Sequence, residues 1–365
     1  MYLDTEVSAD QMERAYDFLQ QNQLIHACKI VPLMFYRLRC FPMYFIRLSE
    51  RAERKFAILG INIFIQKYSI RIMKQTILFT LLFCIVFTTN AQEVKLSNSF
   101  SENFSDSTLK NFRWGSAGTK ADFKWKSGVN SLTEPGTKIL SMNMDPEDRA
   151  GAGRGPEIIS NEFTHFGTYS TRLKVPNVKD IQPNVGAVVG YFTYHMDSIQ
   201  GLSEVDFEWL IADPTIIYIG TWTGPRGQLK RIGRTINLAK GIIYNTNYRE
   251  GHQGQRTPLS GAQNQPETIA AIEGYDASLK FYTYGFDWYQ NRIRWWIIHP
   301  ATNEKIVLWD YQGSQTGIPQ NQSRYRMNFW HTNEWSVQTN PNSIEKPLHR
   351  YELEVDWMAY EPAGK

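Results

Sequence analysis

Cysteine is scarce in this sequence of 365 residues, and the few that occur lie early in the chain. They are Cys28, Cys40 and Cys84. Everything after residue 84 therefore lacks the means to form a disulfide, whatever the redox compartment. The stability of this long remainder has to come from a large core, and a content of 42% hydrophobic and 14% aromatic residues is ample for one.

The sequence also has no apolar run long enough to cross a membrane as a helix. The apolar stretch from Ile77 to Phe87 covers 11 residues, whereas a spanning helix needs about 20. It lies within "MKQTILFTLLFCIVFTTNAQE", where a lysine follows a methionine and small or polar residues lead to Ala91. This layout is typical of a signal peptide. We predict a signal peptide at residues 73–91, cleavage near Ala91, no lipid anchor, and a secreted or periplasmic protein.

The residues before this segment fit the prediction poorly. A signal peptide acts from the N-terminus, yet 72 residues precede Met73. They are basic and aromatic in part and show no clear binary pattern. We interpret residues 1–72 as upstream sequence translated from a misplaced start codon, with a genuine cytoplasmic or membrane-associated extension as the alternative.

A strong excess of charge of either sign is missing as well. The formal net charge of the whole chain is +3. Residues 1–91 hold 11 of the 39 lysines and arginines and 7 of the 36 acids, which leaves 28 basic and 29 acidic residues in 92–365. The net charge of that region is −1. This balance argues against nucleic acid as a partner and favours a neutral or weakly charged substrate.

Amphipathic helical patterns longer than three turns are absent too. From residue 92 onward, short apolar or alternating segments rich in aromatic and β-branched residues are separated by Gly, Pro and Asn, as is typical of strands. Examples are "TYSTRLKVP" (168–176), "VGAVVGYFTY" (185–194), "EVDFEWLI" (204–211), "FYTYGFDWY" (281–289), "RIRWWIIH" (292–299) and "YELEVDWMAY" (351–360). The polar residues 251–267 are predicted to form a surface loop. No repeat occurs and no linker divides residues 100–360, so we predict one all-β domain, a sandwich or barrel, over residues 92–365.

Negative charge is concentrated at one point of this otherwise balanced region. The segment "GLSEVDFEWLIAD" (201–213) places Glu204, Asp206 and Glu208 at every second position. On a strand the three share one face and the apolar residues between them point to the core. Neighbouring carboxylates repel and lose hydration, which raises at least one pKa, and such a cost is usually tolerated where a site needs it. These residues alone leave three interpretations open: cleavage of a glycosidic bond, a hard cation such as Ca²⁺, or a solvated acidic face.

The segment "EVDFE" resembles the E-x-D-x-E signature of glycoside hydrolase family 16, which includes licheninases, laminarinases, agarases and xyloglucan-active enzymes. Other segments resemble parts of the family in the same order. They are "FGTYSTRLKVP" and "VGAVVGYFTY" before the signature, and "GYDASLKFYTYGFDWYQNRIRWWI", "MNFWHTNEW" and "VDWMAY" after it. The resemblance implies a β-jelly-roll sandwich of two antiparallel sheets, in which the acidic strand crosses the floor of a concave substrate cleft. The unbulged spacing of the signature is similar to the licheninase and xyloglucan branches.

Roles for the three acids follow from the same resemblance. Glu204 would be the nucleophile and Glu208 the acid/base, while Asp206 would share a hydrogen bond or proton with the nucleophile and tune its charge. Catalysis of this kind requires no cofactor. The candidates for substrate binding are Trp330, Asn328, Tyr194, Trp222 and Arg172. An ordinary salt bridge is the alternative role for Arg172, and a purely structural role is the alternative for either tryptophan.

Two further features of the resemblance concern calcium and specificity. Asp356 and the carbonyl of Gly167 match a structural Ca²⁺ site of many relatives. Three positions depart from the licheninase pattern: Ser203 stands where a tryptophan precedes the nucleophile, "IGT" at 219–221 replaces an N-x-Y sugar contact, and Tyr282 replaces a histidine. These departures leave the catalytic chemistry intact and put licheninase specificity in doubt.

Taken together, the sequence predicts a secreted, monomeric, endo-acting β-glycan hydrolase that works with retention of configuration. The expected partner is a polysaccharide or oligosaccharide, with β-1,3-1,4-glucan or a related β-glucan as the substrate. A transglycosylase on the same scaffold is one alternative, because a sugar hydroxyl can intercept the same covalent intermediate. A glycan-binding protein without turnover is the other, although clustered and mutually repelling carboxylates would bring a pure binder no benefit.

Overall fold

A computed structural model describes residues 95–104, 109–115, 122–127 and 138–364. These residues belong to one compact unit, Gln92–Lys365. The predicted signal peptide at 73–91 and the extension at 1–72 lie outside the described residues. Within the described ranges, no helix has the length and apolar character needed to span a membrane.

Strands account for almost all regular structure in the described residues. In chain order they are β1 (Phe100–Glu102), β2 (Phe112–Trp114), β3 (Asp122–Ser127), β4 (Lys138–Met144), β5 (Glu157–Ser160), β6 (Gly167–Lys174), β7 (Ala187–Asp197), β8 (Gly201–Leu210), β9 (Ile216–Gly224), β10 (Lys230–Asn237), β11 (Ile242–Glu250), β12 (Thr257–Pro258), β13 (Tyr282–Tyr289), β14 (Arg292–Ile298), β15 (Lys305–Gln312), β16 (Arg324–His331) and β17 (Tyr351–Pro362). The six strands predicted from the sequence correspond to β6, β7, β8, β13, β14 and β17. The predicted loop at 251–267 contains only the two residues of β12 and a short 3-10 turn, Gly261–Gln263.

The strands form two antiparallel sheets. The first has the order β15-β14-β13-β6-β17-β4-β3, with β1 also paired to β17. The second has the order β12-β11-β10-β9-β8-β7-β16-β5-β2. The predicted fold class, an all-β jelly-roll sandwich of two antiparallel sheets, is confirmed.

The core lies between the two sheets and explains why the acidic segment forms a strand. Val205, Phe207 and Trp209 are fully buried, and full burial of one such side chain contributes about 1.5–3 kcal/mol. Phe207 stacks on Trp209 with ring centroids 5.2 Å apart. Because side chains alternate along a strand, burying these three turns the acids of β8 to the outer face of the second sheet.

Candidate active site

Strand β8 is central in the second sheet and carries the three acids on its outer face. It pairs with β7 on one side and β9 on the other, and directly paired residues share a face. Glu204 is opposite Tyr194 of β7 and Trp222 of β9. Tyr194 and Trp222, which were both predicted to bind substrate, therefore flank the predicted nucleophile.

The residues paired with the other two acids are glycines. Gly190 of β7 is opposite Glu208, and Gly220 of β9 is opposite Asp206. Gly220 is in turn paired with Gly233 of β10. Because glycine has no Cβ, these positions leave room on the face for neighbouring side chains, such as that of Asn328 over Gly190.

A pocket of about 300 Å³ lies over this part of the sheet. All three acids line it. Its other lining residues are Ala152, Gly153, Glu157, Phe192, Tyr194, Arg326, Asn328 and Trp330. The structure therefore brings Tyr194, Asn328 and Trp330 to the acids, as predicted from the sequence.

Hydrogen bonds from the core side hold β8 in place. The indole Nε1 of Trp295, in the first sheet, donates to the carbonyl oxygen of Asp206 at 3.0 Å. Ser323 Oγ donates to the carbonyl of Ser203 at 2.8 Å. These contacts fix the backbone beneath the acids, which favours a preorganised site.

Burial is the main cause of the electrostatics of the acid cluster. It raises the pKa of Glu204, Asp206 and Glu208 alike. The charge of Glu208 raises the pKa of Glu204 further, whereas the guanidinium of Arg231 lowers the pKa of all three. At neutral pH the cluster therefore keeps at least one proton, since three ionised carboxylates would repel one another in a partly desolvated site.

The hydrogen bond between Glu204 and Asp206 indicates where a proton is held. It lowers the pKa of Glu204 and raises that of Asp206. This pair of shifts corresponds to a protonated Asp206 that donates to the ionised form of Glu204. Asp206 is 6% exposed, so solvent competes little with this bond.

Two arginines of the face were not predicted from the sequence. Arg326 ion-pairs with Glu157 at 3.0 Å and its guanidinium lies 5.0 Å from the ring centroid of Tyr194. Arg231 of β10 is paired with Trp222. The turn segment "GPRGQL" (224–229) could have indicated Arg231, because a tight connection there sets Trp222 opposite it. No comparable signal pointed to Glu157 or Arg326.

Trp222 lies on the same face but does not line the pocket. Its ring is 4.6 Å from the ring of His252. The guanidinium carbons of Arg231 and Arg249 lie 5.6 and 5.1 Å from its centroid. Its stacking surfaces are thus engaged by protein groups.

Other predicted positions are not brought to the pocket. Arg172 lies on β6 of the first sheet, 8% exposed, and pairs with Asp356 at 2.8 Å. The salt-bridge alternative therefore describes Arg172. Ser203 is fully buried on the core face of β8 and donates to the carbonyl of Asn321 at 2.7 Å. A side chain there points away from the three acids.

The two calcium candidates are also apart. Gly167 is paired with Pro362 at the end of β17, six positions along that strand from Asp356. Asp356 is already engaged with Arg172. Among the described residues, no group of three or more His, Cys, Asp or Glu side chains is arranged to hold a metal ion. The structural calcium ion stays a prediction.

Comparisons with known proteins place this geometry in context. No protein-family model matches the chain. A β-glucanase of Paenibacillus polymyxa is 24% identical over 263 residues, covering 70% of this chain and 84% of the relative. A β-glucanase of Bacillus subtilis strain 168 is 23% identical, covering 78% of this chain and 93% of the relative. The solved structure of a Bacillus licheniformis β-glucanase covers 74% of this chain and all of its own, at 18% identity and a TM-score of 0.44.

The chain is homologous to these bacterial β-glucanases, which match 70% and 78% of its length. Glycosidic bond cleavage needs one ionised and one protonated carboxyl group, and the raised pKa values of the acid cluster allow both forms to coexist near neutral pH. Homology and site chemistry together support an enzyme of the glycoside hydrolase class.

Proposed function

We propose that the protein is a secreted, endo-acting β-glycan hydrolase of the family 16 type, which cleaves with retention through Glu204 and Glu208. The observation that carries the proposal is the acid cluster of β8. Three carboxyl groups with raised pKa values share one strand face, line one pocket, and include a proton donor aimed at Glu204. A solvated acidic face would show none of these features.

The first half of the reaction breaks the glycosidic bond. Glu204, whose ionised form accepts a hydrogen bond from Asp206, attacks the anomeric carbon and forms a glycosyl ester. The protonated carboxyl of Glu208 gives its proton to the departing glycosidic oxygen, so that the leaving sugar is neutral. Retention requires the two carboxyl groups to approach to about 5–5.5 Å.

The second half releases the product. Esterification removes the negative charge of Glu204, and the pKa of Glu208 falls because this repulsion has gone. Glu208, now ionised, takes a proton from a water molecule that attacks the anomeric carbon. The ester bond breaks, Glu204 regains its charge, and two inversions give net retention.

Residues around the acids suggest how a sugar chain is held. Trp330 is half-buried in the pocket and offers an apolar ring on which a pyranose can stack. Asn328 Oδ1 is buried there with no hydrogen-bond partner within the described part of the chain. It can therefore accept a bond from a sugar hydroxyl. The relatives named β-glucanase support a β-glucan, such as β-1,3-1,4-glucan, as the substrate.

The test uses glutamine variants of both glutamates. Glu204→Gln and Glu208→Gln should each lower kcat by about 1,000-fold or more on a panel of β-glucans assayed for new reducing ends, because each removes one of two obligatory groups. Glu273→Gln, at an exposed position outside the pocket, is the matched control and should keep full activity. Full activity of either pocket variant, with circular dichroism unchanged, would contradict the proposal.

Rescue by azide separates the two roles. With an activated glycoside, Glu204→Ala plus azide should yield a glycosyl azide of inverted configuration, since azide replaces the nucleophile. Glu208→Ala plus azide should yield the retained configuration, because azide then attacks the ester of Glu204. Exchanged outcomes would exchange the assigned roles. Products longer than the starting oligosaccharide would favour a transglycosylase. Binding of the glycan without any bond cleavage would favour a glycan-binding protein.

A further inference from the structure

Four arginines gather at the end of the β8 face where Glu204 lies. They are Arg226, Arg231, Arg249 and Arg256. Arg231 acts electrostatically on all three acids, and Arg226 on Tyr194, the residue opposite Glu204. Arg249 is paired with Arg231 across β10 and β11, and it experiences the charges of both Arg231 and Arg256. This set is called the arginine cluster below.

The sheet register makes the arginine cluster costly. Arg231 and Arg249 are directly opposite each other on one face, an arrangement that destabilises a sheet when the charges are alike. The Nε atoms of both are buried and have no hydrogen-bond partner within the described residues. Burial, and then Arg231 and Arg256, lower the pKa of Arg249 to about 10. A fold keeps such a pair where another interaction offsets the repulsion.

Acidic side chains of the chain do not offset it fully. In the part of the chain that the structure describes, none of the four arginines forms a salt bridge to an Asp or Glu side chain. Arg231 partly neutralises the three acids of β8. Within the described ranges, the hydrogen bond of Arg249 goes to the carbonyl of His252, at 3.0 Å, and Arg256 is exposed at the rim. The four arginines therefore carry more positive charge than the three acids of β8 can neutralise.

Trp222 holds the two inner arginines in position. Both guanidinium groups lie over its ring, and His252 packs against the same indole. Stacking on an aromatic ring orients a guanidinium while leaving its in-plane N–H donors available. A planar, preoriented pair of guanidinium groups suits the oxygens of a sulfate or carboxylate group.

We propose that Arg231 and Arg249, oriented by Trp222, form a subsite for a sugar unit that carries an anionic substituent, either a sulfate ester or a carboxylate. The inference rests on the proposed function, because it assigns a sugar-binding position beside Glu204. It revises the substrate expected from the overall net charge: the glycan is anionic at this unit. Trp222 is a positioning residue of the subsite and not a sugar-stacking platform.

The experiment compares three ligands that share one backbone. They are a β-1,3-1,4-glucan oligosaccharide, its O-sulfated derivative and its C6-oxidised derivative, which bears carboxylates. Dissociation constants are measured by calorimetry on the Glu208→Gln protein, which binds without turnover. We expect at least one derivative to bind about tenfold tighter than the parent at low salt, with the advantage shrinking at high salt. The derivative that gains identifies the substituent.

Matched variants locate the effect. Arg249→Gln in the same background should abolish the tenfold advantage of the derivative over the parent oligosaccharide. Lys305→Gln is the control, because Lys305 also stacks on a tryptophan, Trp296, but in the first sheet. It should change nothing. Arg256→Gln, at the rim, should reduce the affinity advantage of the derivative by a smaller factor. It replaces Arg249→Gln in the experiment if that variant does not fold.

Two results would overturn the subsite. Equal affinities for the parent and both derivatives would show that no anion is recognised. Equal effects of Arg249→Gln and Lys305→Gln would show attraction by overall charge alone. The proposed function is read separately, from new reducing ends produced by the unaltered enzyme. Tight binding of a derivative without any cleavage would contradict the hydrolase and leave the subsite standing.

Discussion

At the scale of single residues, Asp206 favours the ionised form of the predicted nucleophile. Its carboxyl is the most buried of the three, and its hydrogen bond to Glu204 lowers the pKa of Glu204 and raises its own. The roles of Asp206 and Glu204 therefore depend on one proton. Replacing Asp206 by residues that keep or lose a donor can test this dependence.

Asp206→Asn keeps an N–H donor toward Glu204, whereas Asp206→Ala removes it. A hydrogen bond to a charged group is worth about 1.5–3 kcal/mol, so we expect Ala to lower kcat/KM about 10- to 100-fold more than Asn. Without the donor, the pKa of Glu204 rises, and the acidic limb of the kcat/KM profile should move to higher pH in the Ala variant alone. Similar losses in both variants, with unmoved acidic limbs, would contradict the assigned proton.

We expect Glu204 to lower the free energy of unfolding at high pH. Because its pKa is raised in the folded state, the folded protein holds a proton that the unfolded chain has lost, so the free energy of unfolding falls as pH rises from about 4.5 through the raised pKa. Glu204→Gln cannot ionise. We expect it to be more stable than the parent by about 1–2 kcal/mol at pH 8.5 and nearly equal at pH 4, measured by urea unfolding.

The same substitution at exposed Glu273 reports the general effect of losing one negative charge. A stability difference for Glu204→Gln that did not depend on pH would contradict the raised pKa of Glu204. A lower stability at pH 8.5 would contradict its sign.

Some residues of the site were predictable and others were not, for a physical reason. The acids are local: their two-residue spacing fixes a common strand face without knowledge of the partner strands. Arg172 and Arg231 both lie in segments of alternating polarity, so the sequence does not distinguish them. Arg172 forms a buried salt bridge because β6 belongs to the first sheet, whereas Arg231 lies beside the acids because β10 belongs to the second. Ser203, one of the departures from the licheninase pattern, lies on the opposite face of β8 from Glu204, because adjacent residues of a strand point to opposite sides.

At the scale of elements, the glycines of β7 and β9 make room for neighbouring groups beside the acids. A Cβ on Gly220 would overlap the carbonyl oxygen of Ile232 in β10, whereas a Cβ on Gly190 would overlap the side-chain Oδ1 of Asn328. Backbone cannot move as freely as a side chain. The two glycines therefore predict different consequences of the same substitution.

Gly220→Ala should force β9 and β10 apart and destabilise the protein by about 1–3 kcal/mol, with loss of activity. Gly190→Ala should leave stability within about 1 kcal/mol and raise KM, since only Asn328 has to turn away. Thermal unfolding and steady-state kinetics on both variants distinguish these outcomes. Equal stability of the two variants would show that β9 and β10 can absorb a methyl group at their contact.

Strands with a hydrophobic inner face were easier to predict than strands under the arginine cluster. The core-facing residues of β8, β13 and β14 are aromatic or β-branched, which gives a strong strand signal. In β10 and β11 the outer face carries Arg, Gly and Asn, residues that are equally common in turns. Pairing with β9 and the burial of alternate residues decide their conformation, and neither is visible in a short window.

At the scale of the whole molecule, the net charge gave no indication of the arginine cluster. The net charge of −1 for residues 92–365 led to the expectation of a neutral or weakly charged substrate. The arginine cluster is assembled from the β9–β10 turn, β10, β11 and the loop after β11, so its charge density appears only once the sheet is formed. Net charge describes solubility and long-range attraction, and register decides what a subsite recognises.

The cysteine distribution provides a direct test of export and processing, since all three cysteines precede the predicted cleavage site. Cleavage near Ala91 should leave a protein with no thiol. An uncleaved chain that starts at Met73 should have one, Cys84, and an uncleaved chain that starts at Met1 should have three. We expect zero thiols per molecule in protein recovered from outside the cytoplasm, titrated under denaturing and reducing conditions, and a melting temperature unchanged by reductant. A count of one or three in the exported protein would contradict cleavage near Ala91, and the value itself would show where translation begins.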